Sequence, residues 1–158
     1  MKKAITLLLF MGVIFSCNTP KTVIESRKVI KGNWTLDNVS YDRSGTFNIR
    51  LLQDTSMQCF EGSSWRFIPN NNTGIYTINN GDCPTGDRYF IFDIQEMNPE
   101  SGLYDFLLKP TDEKKKSEDN KGFRLRLAQL SESSMRWEQT VSLEGAPFTI
   151  TMQFSKSE

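Results

Sequence analysis

The segment Phe148-Thr149-Ile150-Thr151-Met152-Gln153-Phe154 alternates apolar and polar residues without an error. A strand sends successive side chains to opposite faces of its sheet, so this pattern gives one face to a core and the other to water. Its β-branched and aromatic content favours the same conformation. Phe123-Arg124-Leu125-Arg126-Leu127 repeats the pattern, and Met135 to Leu143 continues it, with Gln139 as the one polar residue on the inner face. The links Ser131-Glu132-Ser133 and Glu144-Gly145-Ala146-Pro147 are short and rich in turn residues, which suits antiparallel hairpins.

Earlier strands are expected at Ser64–Ile68, Gly74–Ile78, Arg88–Met97 and Leu103–Lys109, with turn-forming residues in the loops 69–73 and 79–87. Asp112 to Lys121 mixes both signs of charge without aromatics and reads as a solvated hairpin loop. Phe47, Ile49 and Leu51 alternate as a strand does, whereas Asp54 to Phe60 reads as a short helical turn capped by Asp or Ser. About eight or nine strands with little helix indicate an all-β antiparallel sandwich or barrel.

The N-terminus places Lys2 and Lys3 before an uncharged apolar run from Ala4 to Phe15, the layout of a secretory signal peptide. That run is shorter than the roughly 20 residues a helix needs to span a bilayer. Ile14-Phe15-Ser16-Cys17 resembles the bacterial lipobox, which implies cleavage after Ser16 and acylation of Cys17; the alternative is an ordinary signal peptide with a chance cysteine. Two or three acyl chains, at about 0.8 kcal/mol per buried CH2, would hold the protein at a membrane almost irreversibly. The expected organisation is a signal peptide over 1–16, a lipidated cysteine with a flexible tether over 17–28, and one β domain over 29–156. With Cys17 acylated, Cys59 and Cys83 form an even pair in an oxidising compartment. A bridge between them closes a loop of about 25 residues and is worth about 3 kcal/mol on the chain-entropy model. Two buried free thiols are the other reading.

Lys plus Arg and Asp plus Glu both number 19, so no summed field draws the chain to nucleic acid. Histidine is absent, which removes the usual base of acyl-transfer triads and the commonest zinc ligand. Asp93, Glu96 and Asp105 are the carboxylates nearest to a glycosidase pattern, but scattered acids on strands are mostly solvated. Asp82 and Asp87 lack the regular spacing of a calcium loop. No enzyme activity, cofactor or metal site is expected.

Gly32-Asn33-Trp34, with Leu36 in phase, resembles the Gly-x-Trp motif that opens the first strand of lipocalins, where the tryptophan closes the barrel floor; the alternative for Trp34 is an ordinary core residue. Ser63-Ser64-Trp65-Arg66-Phe67, Gly74-Ile75-Tyr76-Thr77-Ile78, Cys83 and the late alternating strands extend the resemblance from Gly32 to Phe154. Together they resemble the lipocalin-like lipoproteins of Gram-negative bacteria. The Thr-Asp-Tyr motif of core lipocalins is not evident, and the last strand ends in Ser155-Lys156 without the arginine that usually covers the tryptophan; Arg136 is the candidate replacement.

The resemblance implies a single antiparallel up-and-down β-barrel. Its expected inward layer is Trp34, Leu36, Trp65, Phe67, Phe90, Phe92, Phe106, Leu125, Leu127, Trp137, Val141, Ile150 and Met152. That layer either lines a cavity for a small hydrophobic or amphipathic ligand or fills a packed core. With a cavity, the protein would be a lipid-anchored binding module. With a filled core, it would be an interaction or inhibitory module offering its loops to an envelope protein. A monomer is expected in either case. Asn18 in place of aspartate, and no acidic cluster in Thr19-Pro20-Lys21-Thr22, favour the periplasmic face of the outer membrane over the cell surface.

Overall fold

The computed structural model describes residues 21–98 and 103–157, so the expected signal peptide, Cys17 and the start of the tether lie outside the described residues. In chain order the elements are α1 (Lys21–Ile30), β1 (Gly32–Tyr41), β2 (Arg50–Leu51), β3 (Thr55–Ser56), α2 (Met57–Phe60) and β4 (Ser64–Ile68). A 3-10 turn (Pro69–Asn71) then leads to β5 (Thr73–Ile78), β6 (Gly86–Asn98), β7 (Leu103–Thr111), β8 (Phe123–Leu130), β9 (Ser134–Leu143) and β10 (Ala146–Lys156).

Eight strands close an antiparallel up-and-down barrel in the order β1-β10-β9-β8-β7-β6-β5-β4. From β4 onward each strand pairs with the next in sequence, and β1 completes the ring by pairing with β10 on one side and β4 on the other. Alternating burial along β5 and β10 shows the mechanism: inward residues are apolar, and rolling the sheet removes them all from water together. Register shifts at Leu36/Asn38 in β1 and Leu127/Gln129 in β8 insert extra residues that sharpen strand curvature.

The barrel has two unlike ends. The floor gathers the start of β1, the β4–β5 turn and the β8–β9 turn, with α1 alongside. Residues 21–28 therefore belong to a helix and not to a flexible tether. Val23, Ser26 and Ile30 fall on one narrow stripe and are buried. So few apolar positions, one of them a serine, left little helical pattern to read. Contacts with the barrel do the fixing instead. Trp34 Nε1 donates to the Ile30 carbonyl and Lys156 Nζ to the Val29 carbonyl, both at 2.8 Å, satisfying two acceptors at the helix end. Arg27 pairs with Asp93 of β6 at 2.9 Å.

The other end, the mouth, is crossed by residues 42–63, the excursion that lets β1 pair with β4. The strand expected over 47–51 shortens to β2, which forms a small hairpin with β3. The short helix expected after Asp54 is α2, with Ser56 at its cap position. Ser56 makes no side-chain cap bond; its Oγ lies 3.3 Å from Cys59 Sγ instead. A Cys59–Cys83 disulfide ties α2 to the β5–β6 loop.

Gly74 is the most tightly enclosed of the described glycines. A Cβ there would lie 2.1 Å from Phe90 Cζ and 2.8 Å from the Arg66 carbonyl oxygen. Gly74→Ala should therefore cost about 3 kcal/mol in urea unfolding, since neither the packed ring nor the paired backbone can withdraw freely. Gly81→Ala, with nothing within 4 Å of its Cβ, should stay within about 0.5 kcal/mol of the parent.

Candidate functional site

Every residue expected to face the interior is buried except Val141. Val141 stands opposite Phe148 on the inward side, yet is 39% exposed. The β8–β9 ladder ends at Arg126 and Glu138, so β9 beyond that point runs past its neighbour with β10 alone beside it. Periodicity gives the face of a residue but not where the wall ends. Tyr76, Ile78, Ile94, Leu108, Met135 and Phe154 are also buried. Ile94, Leu108, Met135 and Phe154 lie in phase with residues singled out on their own strands, so the alternation could have found them; Tyr76 and Ile78 lie on β5, where Ile75 is apolar too and blurs the pattern.

The interior is occupied by aromatic rings. Trp65 of β4 meets Trp137 of β9 edge-to-face at 5.4 Å, and Phe67 of β4 meets Phe106 of β7 at 6.0 Å. Both contacts cross the lumen, because β9 and β7 each lie three places from β4 around the eight-membered ring. Phe106 stacks on Trp137 at 4.6 Å, and Phe154 approaches Trp137 at 4.7 Å. These separations are those of rings in contact. At this level the rings pack against one another across the lumen.

At the floor, Trp34 is fully buried and its ring is covered by Lys156 Nζ, 5.2 Å from the centroid. The cation over the tryptophan thus comes from the end of the last strand itself. Arg136 does not take this role: its Nε lies 3.4 Å from Glu138 Oε1.

The mouth carries the polar constellation. Tyr76 donates its hydroxyl hydrogen to Asp54 Oδ2 at 3.0 Å, and Arg88 Nε donates to the same oxygen at 2.9 Å. Arg88 also donates to the Gly86 and Pro84 carbonyls, so its guanidinium braces the β5–β6 loop against the β2–β3 hairpin. In that hairpin Leu52 and Gln53 adopt left-handed backbone angles, φ 51° and 57°, at an expected cost of about 1 kcal/mol or more each. Burial of Leu52 and the anchoring of Asp54 hold the strained turn in place. Beside this brace opens a cleft of about 570 Å³. Leu52, Tyr89, Pro110 and Phe123 contribute its apolar wall, while Asp87, Asp112, Glu113, Glu118 and Asp119 outnumber Arg88 and Lys121 around it.

Of the carboxylates considered for catalysis, the two with described side chains are each held by an arginine. Asp93 is taken by Arg27 and Asp105 by Arg124 at 2.8 Å, while the Glu96 side chain lies outside the described ones. Asp87 accepts from the Thr77 hydroxyl at 2.7 Å, and Asp82 lies in the β5–β6 loop. Among the described residues no group of three metal-ligating side chains converges.

A closed, eight-stranded up-and-down barrel is the architecture that lipocalins share. The fold is lipocalin-like. Among solved structures, the chain is similar to the crystal structure of a lipocalin-like protein from Bacteroides uniformis, at 12% identity and a TM-score of 0.49. The likeness covers 82% of this chain and 99% of that one. No protein-family model matches the chain, and no curated protein matches it.

Burial, reinforced by the Asp54 charge and hydrogen bond, pushes the Tyr76 phenol far above its ordinary value of 10.0. The folded state therefore holds this proton where the unfolded chain releases it. The resulting stability is complete below about pH 10 and declines as pH rises beyond it, by up to about 1.4 kcal/mol per pH unit. Tyr76→Phe should cost about 1 kcal/mol at neutral pH through the lost hydrogen bond, and should remove that alkaline decline. Urea midpoints of both proteins across the alkaline range check it; equal slopes would contradict the assignment.

Proposed function

We propose that this protein is a lipid-anchored, non-catalytic envelope lipoprotein whose barrel is a filled scaffold and whose recognition surface is the loop-bearing mouth. The observation that carries the choice is the contact of Trp65 and Phe67 with rings across the lumen. An apolar ligand would have to displace several buried aromatic side chains, each worth roughly 1.5–3 kcal/mol of burial or more, before it gained any contact of its own. The mouth offers a preformed cleft instead, in which Tyr76, Arg88 and Asp54 are already locked together. Its surplus of carboxylates suits a partner presenting cationic groups, with the envelope protein as the class of partner.

Anchoring at Cys17 follows from the lipobox resemblance, and the unbroken disulfide is consistent with an exported chain. On this reading the protein sits at the outer membrane, facing the periplasm. Mass spectrometry of the mature chain should find cleavage after Ser16 and a diacylglyceryl group on Cys17; an intact segment 1–16 would remove the anchor from the account.

Organic extraction of the purified mature domain should release no stoichiometric apolar compound, and titration with lipids or a polarity-sensitive dye should leave tryptophan emission unchanged. A co-purifying compound that quenches Trp65 or Trp137 would favour the cavity reading over the filled scaffold. Photo-crosslinking groups at Glu113 or Glu118, in intact cells, should capture a partner that high salt releases, whereas groups on the barrel wall should not.

A further inference from the structure

We propose that the exposed side of α1 rests on an anionic phospholipid surface, setting the barrel floor against the membrane and turning the mouth away from it. This rests on the lipid-anchor reading for the acyl chains at Cys17, while the contact itself belongs to α1.

The helix buries Val23, Ser26 and Ile30 and turns its opposite side to solvent. Lys21, Ile24 and Lys28, with Lys31 just beyond the helix end, are all exposed. At 3.6 residues per turn these positions fall within an arc of about 80°. Ile24 is 43% exposed; among the described residues, it and Val141 are the large hydrophobics left open to solvent. Lysines around a lone aliphatic side chain let a short helix lie at headgroup depth: the apolar group enters the acyl boundary while the ammonium groups meet phosphate. Glu25 is the acidic neighbour, paired with Lys28 Nζ at 2.9 Å, and Arg27 is turned away to Asp93. The lysines outnumber the carboxylate three to one.

Chain length supplies the second support. Cys17 lies four residues before Lys21, a reach of at most about 14 Å even if fully extended. The contacts of Trp34, Lys156 and Asp93 hold α1 to the floor, so the leash to the lipid is short and begins on this face. A tether running to residue 28 would have let the barrel swing clear of the bilayer. A docked helix does not.

The test supplies the anchor artificially, so that it does not depend on acylation in the cell. The mature chain is coupled through Cys17, the thiol left outside the disulfide, to a maleimide lipid in vesicles of brominated phosphatidylcholine, with or without phosphatidylglycerol. Ile24→Trp is the reporter at α1 and Val141→Trp the reporter at the mouth; the parent tryptophans are buried and give the baseline. Bromine should quench the α1 reporter on phosphatidylglycerol vesicles and leave the mouth reporter bright. Replacing Lys21, Lys28 and Lys31 by Gln should shift the docked ratio on the order of a hundredfold and abolish the phosphatidylglycerol dependence. No quenching at α1, or equal quenching with and without phosphatidylglycerol, would overturn the proposal. Native Cys17 found unacylated in cell membranes would sink the anchor reading alone and leave the α1 result standing.

Discussion

Contacts between aromatic rings across the lumen are the constraint on which the rest of this structure depends. Trp65 and Phe67 project from β4 and reach rings on β7, β9 and β10, so half of the wall is held to the other half by a shared core. A small barrel is wide enough either for its own side chains or for one small ligand. Here the side chains take the space. The chain builds its stability from the interior, and on the proposed reading recognition falls to the ends.

The two ends are stabilised by different means. The floor is closed by apolar and backbone-directed contacts: Ile30, Trp34 and Lys156 bring together the helix, the first strand and the last. The mouth is crossed by a strained hairpin and a four-residue helix held by a disulfide, an ion pair and a buried phenol. Strain of that kind persists only where the surroundings over-determine it. Asp54 is the pivot, accepting from Tyr76 and Arg88 while its own carbonyl accepts from Arg50 at 2.5 Å.

Much of this was legible before any coordinates. The alternation in Phe148–Phe154 and Phe123–Leu127 specified both the strands and the faces they bury, because a period of two has one consequence in a rolled sheet. Cysteine arithmetic, with Cys17 set aside for acylation, made a Cys59–Cys83 bridge the simpler of two readings, and the structure contains it. Three features escaped. α1 was hidden because its buried stripe is narrow and includes Ser26, so the tertiary contacts of Trp34 and Asp93 fix what propensity leaves undecided. Val141 has the right phase at the wrong height. The Asp54–Tyr76–Arg88 brace joins segments 22 and 34 residues apart, and no local pattern marks such a meeting. Whether the lumen was lined or filled likewise needed ring positions, because a list of inward residues fixes their volume but not the width of the barrel around them.

The filled lumen can be tested most directly by proton NMR on the mature domain with its aromatic rings assigned. The structure predicts nuclear Overhauser contacts between the ring protons of Trp65 and Trp137, and of Phe67 and Phe106, with no magnetisation transfer from water or from a bound compound to those rings. Silence between the two pairs, together with contacts from them to water or to an extracted ligand, would contradict it.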